Sequence, residues 1–175
     1  MTFSSRKIIP VFLAASLALA PLALRAGTDE TELSVSGVVA AADHSGSSVG
    51  AGASLGMTFP FKDKFALEGR VSFFQDDHNL GVLAARSHTT AIDGDFFLRQ
   101  PLTAASWRVY GGGGVGVVWT PDANSPRPSL QVAFGVEWEF TRDRSIAARF
   151  EILDRQVFGV SRNIAQGSAG ISFRF

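Results

Sequence analysis

Beyond residue 30, apolar and polar positions alternate with a period of two along most of the chain. From Phe65 to Phe73 the odd positions are apolar or glycine, and the even ones are Ala66, Glu68, Arg70 and Ser72. From Leu130 to Phe140 the even positions are all apolar and the odd ones small or polar. A helix would repeat every 3.6 residues, so alternation of this length predicts strands. The same pattern predicts eight of them, at about 31–41, 48–59, 65–75, 86–98, 105–119, 129–140, 145–154 and 164–175. Each has about the ~9–11 residues that a tilted strand needs to cross a bilayer, or slightly more.

The breaks between strands alternate in length. Asp63, Gln100-Pro101 and Arg142-Asp143-Arg144 mark three tight connections. Four longer and more polar ones fall at 43–46, 76–85, 120–128 and 155–162. That rhythm predicts an all-β chain, an eight-stranded antiparallel up-and-down transmembrane β-barrel, with short periplasmic turns, long extracellular loops and both ends on the periplasmic side.

A soluble barrel alternates too, so the sizes of the side chains decide which face looks outward. The polar face is also the small face, with Gly52, Ser54, Gly112, Gly114, Ala133 and Gly135 among its members. The apolar face is bulky, with Phe59, Phe73, Trp107, Phe134, Trp138 and Phe150. Eight strands enclose an interior barely wide enough for side chains, so the small face belongs inside and the bulky face against acyl chains. Phe59, Phe65, Trp107, Phe140 and Phe175 fall near one strand end, and Phe73 and Trp119 near the other, as two aromatic girdles would. The inner face carries Glu68, Arg70, Arg108, Glu137, Glu139, Arg149, Glu151 and Arg174. Four acids and four bases in a narrow lumen are tolerable only as ion pairs, so they are expected to form a network that fills the barrel.

The start of the chain changes the compartment. Arg6 and Lys7 precede an apolar run and a small-residue end at Arg25-Ala26-Gly27, the order of a secretory signal peptide. The expected division is 1–26 as signal peptide and 27–175 as the outer-membrane barrel domain. A spanning helix fits less well, since Pro10 and Pro21 interrupt the run. Without cysteine, neither a lipoprotein anchor nor a disulfide framework is available. The whole chain has 16 basic and 16 acidic residues; removing the leader with its three basic residues leaves a net charge of −3. That balance excludes a nucleic-acid-binding role.

The chain resembles the small outer-membrane barrels of the OmpA and OmpX type over about residues 31–175. The resemblance rests on the leader, the strand Tyr110-Gly-Gly-Gly-Gly-Val-Gly116 and the ending Ala169-Gly-Ile171-Ser-Phe173-Arg-Phe175. It implies that Ile171, Phe173 and Phe175 form the signal presented to the barrel-assembly machinery. It also implies integral residence in the bacterial outer membrane, with lipid and lipopolysaccharide as surroundings. No peptidoglycan-binding segment follows the barrel pattern, so the tethering role of longer relatives is not carried over. The oligomeric state is left open.

Candidate chemistry is sparse. Residues 111–116 contain G-x-G-x-x-G, but within a strand pattern and with no helix after it, so no dinucleotide site is expected. Glycines there let neighbouring chains approach closely. His44, His78 and His88 would gather at the extracellular rim, near Asp43, Ser45, Asp76, Asp77 and Ser87. A hydroxyl activated by histidine and oriented by a carboxylate would suit acyl transfer or ester hydrolysis on a lipid. Loops rich in Asp, His and Ser are commonplace, and no acid–base–nucleophile spacing is recognisable. Lipid A deacylases carry Arg, then His, then Ser on a late strand; here that stretch reads Arg149-Phe-Glu151-Ile-Leu-Asp154. No metal site or cofactor is expected. The leading expectation is a structural or interaction protein without catalysis, the alternative an enzyme modifying lipid A or phospholipid, and the third a narrow pore for small solutes.

Overall fold

The computed structural model describes residues 31–43, 48–61, 64–77, 86–102, 106–120, 125–141, 144–159 and 162–175. The signal-peptide segment 1–26 therefore lies outside the described residues, as do His44, Asp63, His78, Arg142 and Asp143.

Eight strands form one closed barrel: β1 (Glu32–Asp43), β2 (Ser48–Phe61), β3 (Phe65–Asp77), β4 (Arg86–Pro101), β5 (Trp107–Trp119), β6 (Arg127–Glu139), β7 (Ile146–Val157) and β8 (Arg162–Arg174). Each pairs antiparallel with the next, and β8 returns to β1. Among the described residues there is no helix. A circuit of the rungs starts at Glu32 and passes Thr58, Glu68, Asp95, Gly114, Gln131, Arg155 and Ile164. It re-enters β1 at Ala42, ten residues on. Eight strands with a stagger of ten require a tilt of about 40° and a backbone radius of about 8 Å.

The wall is inside-out, as lipid demands. Val39, Phe73, Val115, Phe134, Phe150 and Ile152 face outward and are exposed, whereas Glu68, Arg70, Asp95, Glu137 and Arg149 face inward and are buried. Trp107 and Trp138, paired across β5 and β6, stack at 5.7 Å. Phe61, Phe65 and Phe96 form a second outer cluster, with ring centroids 5.5 to 6.0 Å apart. Both clusters lie at the end that holds Thr31, Phe175 and the short turns. The turn between β6 and β7 passes through Arg144, whose φ is 58°; Gly159, after β7, has φ 83°.

The strands run further than the alternation predicts. Gln100-Pro101 was expected as a turn but ends β4, paired with Val109 and Arg108. Pro101 sits at the last position, where a missing N–H costs the ladder least. Arg155 was expected to open a loop. It lies within β7, points inward and is fully buried. Asp154-Arg155-Gln156 reads as solvated by composition, yet pairing continues to Val157↔Arg162. Phe59 keeps its outward parity but is only 8% exposed.

The interior is also less uniformly small than expected, because Phe74, Phe97 and Tyr110 point inward. Each lies beside a glycine directly paired with it on a neighbouring strand: Gly52↔Phe74, Gly112↔Phe97 and Gly135↔Tyr110. A Cβ at Gly112 would stand 2.8 Å from Phe97 Cδ1, and one at Gly52 would stand 2.7 Å from Phe74 Cβ. The glycines supply the space that the rings fill.

Candidate functional site

The lumen is built in layers along the barrel axis. Nearest the short turns, Glu32, Glu137 and Glu139 meet Arg99, Arg108 and Arg174. Arg99 Nη2 donates to both oxygens of Glu32 at 2.8 Å and to Glu137 at 2.7 Å. Arg108 donates to Glu139 at 2.8 Å. Arg174 donates to Glu32 at 2.6 Å and to Glu139 at 2.5 Å. Three acids balance three bases. Arg144 reaches Glu139 from the turn at 3.5 Å with its side chain three-quarters exposed.

The middle layer centres on Glu68, Arg70, Arg149 and Glu151. Arg149 donates to Glu68 at 2.6 Å, to Glu151 at 2.8 Å and, through Nε, to the Tyr110 hydroxyl at 2.6 Å. The Tyr110 hydroxyl in turn donates to Glu151 at 2.9 Å. Arg70 donates to Glu68 at 2.8 Å and makes a two-pronged contact with Glu151. The Thr58 hydroxyl completes Glu68 at 2.9 Å. The guanidinium of Arg149 lies 4.7 Å above the Tyr110 ring, a cation–π contact. Beside these charges pack Ala66, Phe97, Ala133 and Leu153.

Above them, Arg155 pairs with Asp93 at 2.5 Å, and Gln131 donates to Asp95 at 2.7 Å. The end with the long loops is then closed by an apolar plug of Ala40, Phe74, Ala91, Val118, Val157 and Ile164, all at most 1% exposed.

The eight charges singled out from the sequence thus fall into two sets. Arg108, Glu137, Glu139 and Arg174 meet in the first layer; Glu68, Arg70, Arg149 and Glu151 meet in the second. Sequence reasoning missed Glu32, Asp93, Asp95, Arg99, Arg155 and Tyr110. In β4 the run Phe96-Phe97-Leu98 hides the parity; extending it from Arg99 back to Asp93 would have found three of them. Ile171, Phe173 and Phe175 face outward. Phe175 also exchanges both backbone hydrogen bonds with Thr31, at 3.1 and 3.2 Å.

Of the histidines, His88 is the one within the described residues. It faces outward on β4 and stacks on Phe73 at 5.2 Å, away from the lumen.

The barrel matches solved structures in its fold. Neisserial surface protein A (NspA) superposes with a TM-score of 0.70 at 13% identity, over 85% of this chain and 100% of that one. Ail of Yersinia pestis, solved in complex with the heparin analogue sucrose octasulfate, gives 0.59 at 12% identity over 85% and 100%. OprG from Pseudomonas aeruginosa gives 0.56 at 13% identity over 85% and 96%. No protein-family model matches the chain, and no curated protein matches its sequence. At these identities the likeness establishes the fold, that of small integral barrels of the bacterial outer membrane.

Proposed function

We propose that the chain is a non-catalytic structural or interaction protein of the outer membrane, anchored by its wall and acting through its long-loop end. The observation that carries this reading is the filled lumen. Two balanced layers of ion pairs, a third polar layer and an apolar plug leave the interior with packing work rather than transport or turnover. Ail, an attachment invasion locus protein by name, stands on a comparable scaffold and is known with a heparin analogue bound. A surface-interaction role for this chain is in keeping with that. Its surroundings are then lipid and lipopolysaccharide, and Ile171, Phe173 and Phe175 are the segment offered to the barrel-assembly machinery.

The test is mass spectrometry of lipid A from outer membranes with and without the protein, with heat-modifiable gel mobility to verify the folded barrel. An unchanged acyl pattern beside a heat-modifiable band is the expected result. A gained or lost acyl chain would overturn the reading and direct attention to His44, His78 and His88.

A further inference from the structure

Three guanidiniums converge on one carboxylate at the short-turn rim of the barrel. Glu139 accepts from Arg108 at 2.8 Å and from Arg174 at 2.5 Å through one oxygen, and Arg144 stands 3.5 Å from the other. Arg108 is no better served elsewhere. Its Nη1 reaches Glu32 and Glu137 only at 3.4 Å, and both of those acids also hold Arg99 and Arg174. Among the described residues, guanidinium donors therefore outnumber carboxylate acceptors at this rim. Arg144 also sits there against local preference. Its φ of 58° lies in the left-handed region, where Gly and Asn are at ease and other residues are strained. Strain of this kind gathers at sites of function.

A cavity of about 410 Å³ lies at the same rim. Arg108, Arg144, Glu139 and Ser106 give it a polar lining, and Leu102 and Trp107 an apolar one. Backbone hydrogen bonds hold its frame, from Leu102 N to Trp107 O at 3.0 Å and from Glu139 N to Ser106 O at 2.6 Å. Leu102 and Trp107 are exposed on the outer surface, and Trp107 stacks on Trp138 in the aromatic cluster. Aromatic belts mark the level of lipid headgroups, so the cavity opens where headgroups lie.

We propose that this cavity holds the phosphodiester of an anionic phospholipid from the leaflet on the short-turn side. Arg108 and Arg144 meet the phosphate oxygens, and the acyl chains run along Leu102 and Trp107. Guanidinium forks match phosphate geometry, and basic pockets at a membrane surface take lipid headgroups. The polar lining suits any phosphate. The apolar lining selects a lipid, because a free anion would leave Leu102 and Trp107 uncovered. Glu139 does not oppose the phosphate, since Arg108 and Arg174 already neutralise it. The cavity lies at the opposite end from the long loops and stands apart from the role proposed for them.

The test is native mass spectrometry of the full chain folded in dodecyl maltoside, a detergent without phosphate, with dioleoyl phosphatidylglycerol added. Heat-modifiable gel mobility verifies the fold of each variant. One phosphatidylglycerol should stay on the wild-type barrel after looser lipid is stripped. Arg144→Asn keeps a residue suited to the left-handed turn and removes the charge. Its occupancy should fall about fivefold, the worth of one basic side chain at a headgroup. Lys64→Gln removes the same charge from an exposed position in the turn between β2 and β3, outside the cavity, and should leave occupancy unchanged. Dioleoylglycerol, which has the same chains and no phosphate, should not be retained. Equal occupancy in wild type and Arg144→Asn, or an equal loss in Lys64→Gln, would overturn the site. Retention of dioleoylglycerol would assign binding to the chains alone and overturn it too. Inorganic phosphate that displaces the lipid at equal concentration would make the cavity a soluble-anion site and overturn the lipid assignment. Should Arg144→Asn fail to fold, the wild-type comparison of phosphatidylglycerol with dioleoylglycerol and phosphate decides alone.

Discussion

The ring of Tyr110 lies across Gly135, its direct partner on β6, so closely that a Cβ there would stand 2.6 Å from Tyr110 Cε1 and nearer still to Cζ. The glycine lets the phenol lie down over the sheet. That posture brings its hydroxyl between Arg149 and Glu151.

Tyr110→Phe should keep the packing and lose the link between two buried charges. The expected cost is about 1–3 kcal/mol, the penalty for leaving charged partners unsatisfied. Gly135→Val should cost about 3 kcal/mol by overpacking the same spot. Urea midpoints in lipid vesicles measure both. A Tyr110→Phe midpoint equal to wild type would mean the hydroxyl is idle.

Arg149→Ala strips one partner from Glu68 and Glu151 at once. A loss of about 3–5 kcal/mol is expected, because the carboxylates are left buried and uncompensated. Combining it with Glu68→Gln should recover part of that loss. The double-mutant cycle read from unfolding curves checks the coupling, and strict additivity would count against it.

Conductance separates a filled barrel from a pore. Planar bilayers holding the purified protein should show no discrete current steps, since ion pairs and the apolar plug occupy the section. Reproducible unitary steps that change in Arg70→Ala or Glu137→Ala would establish a conducting path and sink the filled-lumen reading.

Phe175 distinguishes assembly from stability. It is 69% exposed beyond β8, so Phe175→Ala removes little buried surface. Refolding into vesicles should proceed nearly as in wild type, while the amount assembled in cells should fall several-fold. Equal cellular levels of wild type and variant would remove the terminal residues from any signalling role.

Period two made the strands and their parity legible from the sequence, and parity is what put Glu68, Arg70, Glu137 and Arg149 inside. It did not show depth or partners. Phe73-Phe74 and Phe96-Phe97 are doublets: parity along the strand says which ring turns inward, but the room for that ring is made by Gly52 and Gly112 across the ladder. That is information carried by another strand's register. Arg155 was hidden for a different reason. A polar triplet near a strand end looks solvated until its neighbour in space, Asp93 on β4, is known. Glu32 was lost because it follows Asp29 and Glu30 and so reads as the end of a polar lead-in, with no alternation before it. The histidine cluster rested on loops, where spacing in sequence does not fix position.

Closure of the barrel joins Glu32 to Arg174 and Asp43 to Asn163, the first strand to the last. During synthesis β1 therefore keeps a bare edge until β8 exists, and no shorter chain can remove it. Bare edges are not tolerated among acyl chains, so insertion must be coupled to this one long-range pairing. Unfolding in lipid likewise has to open one of eight seams, each of at least eleven paired positions, and a barrel closed in this way should persist far longer than its equilibrium stability alone would imply.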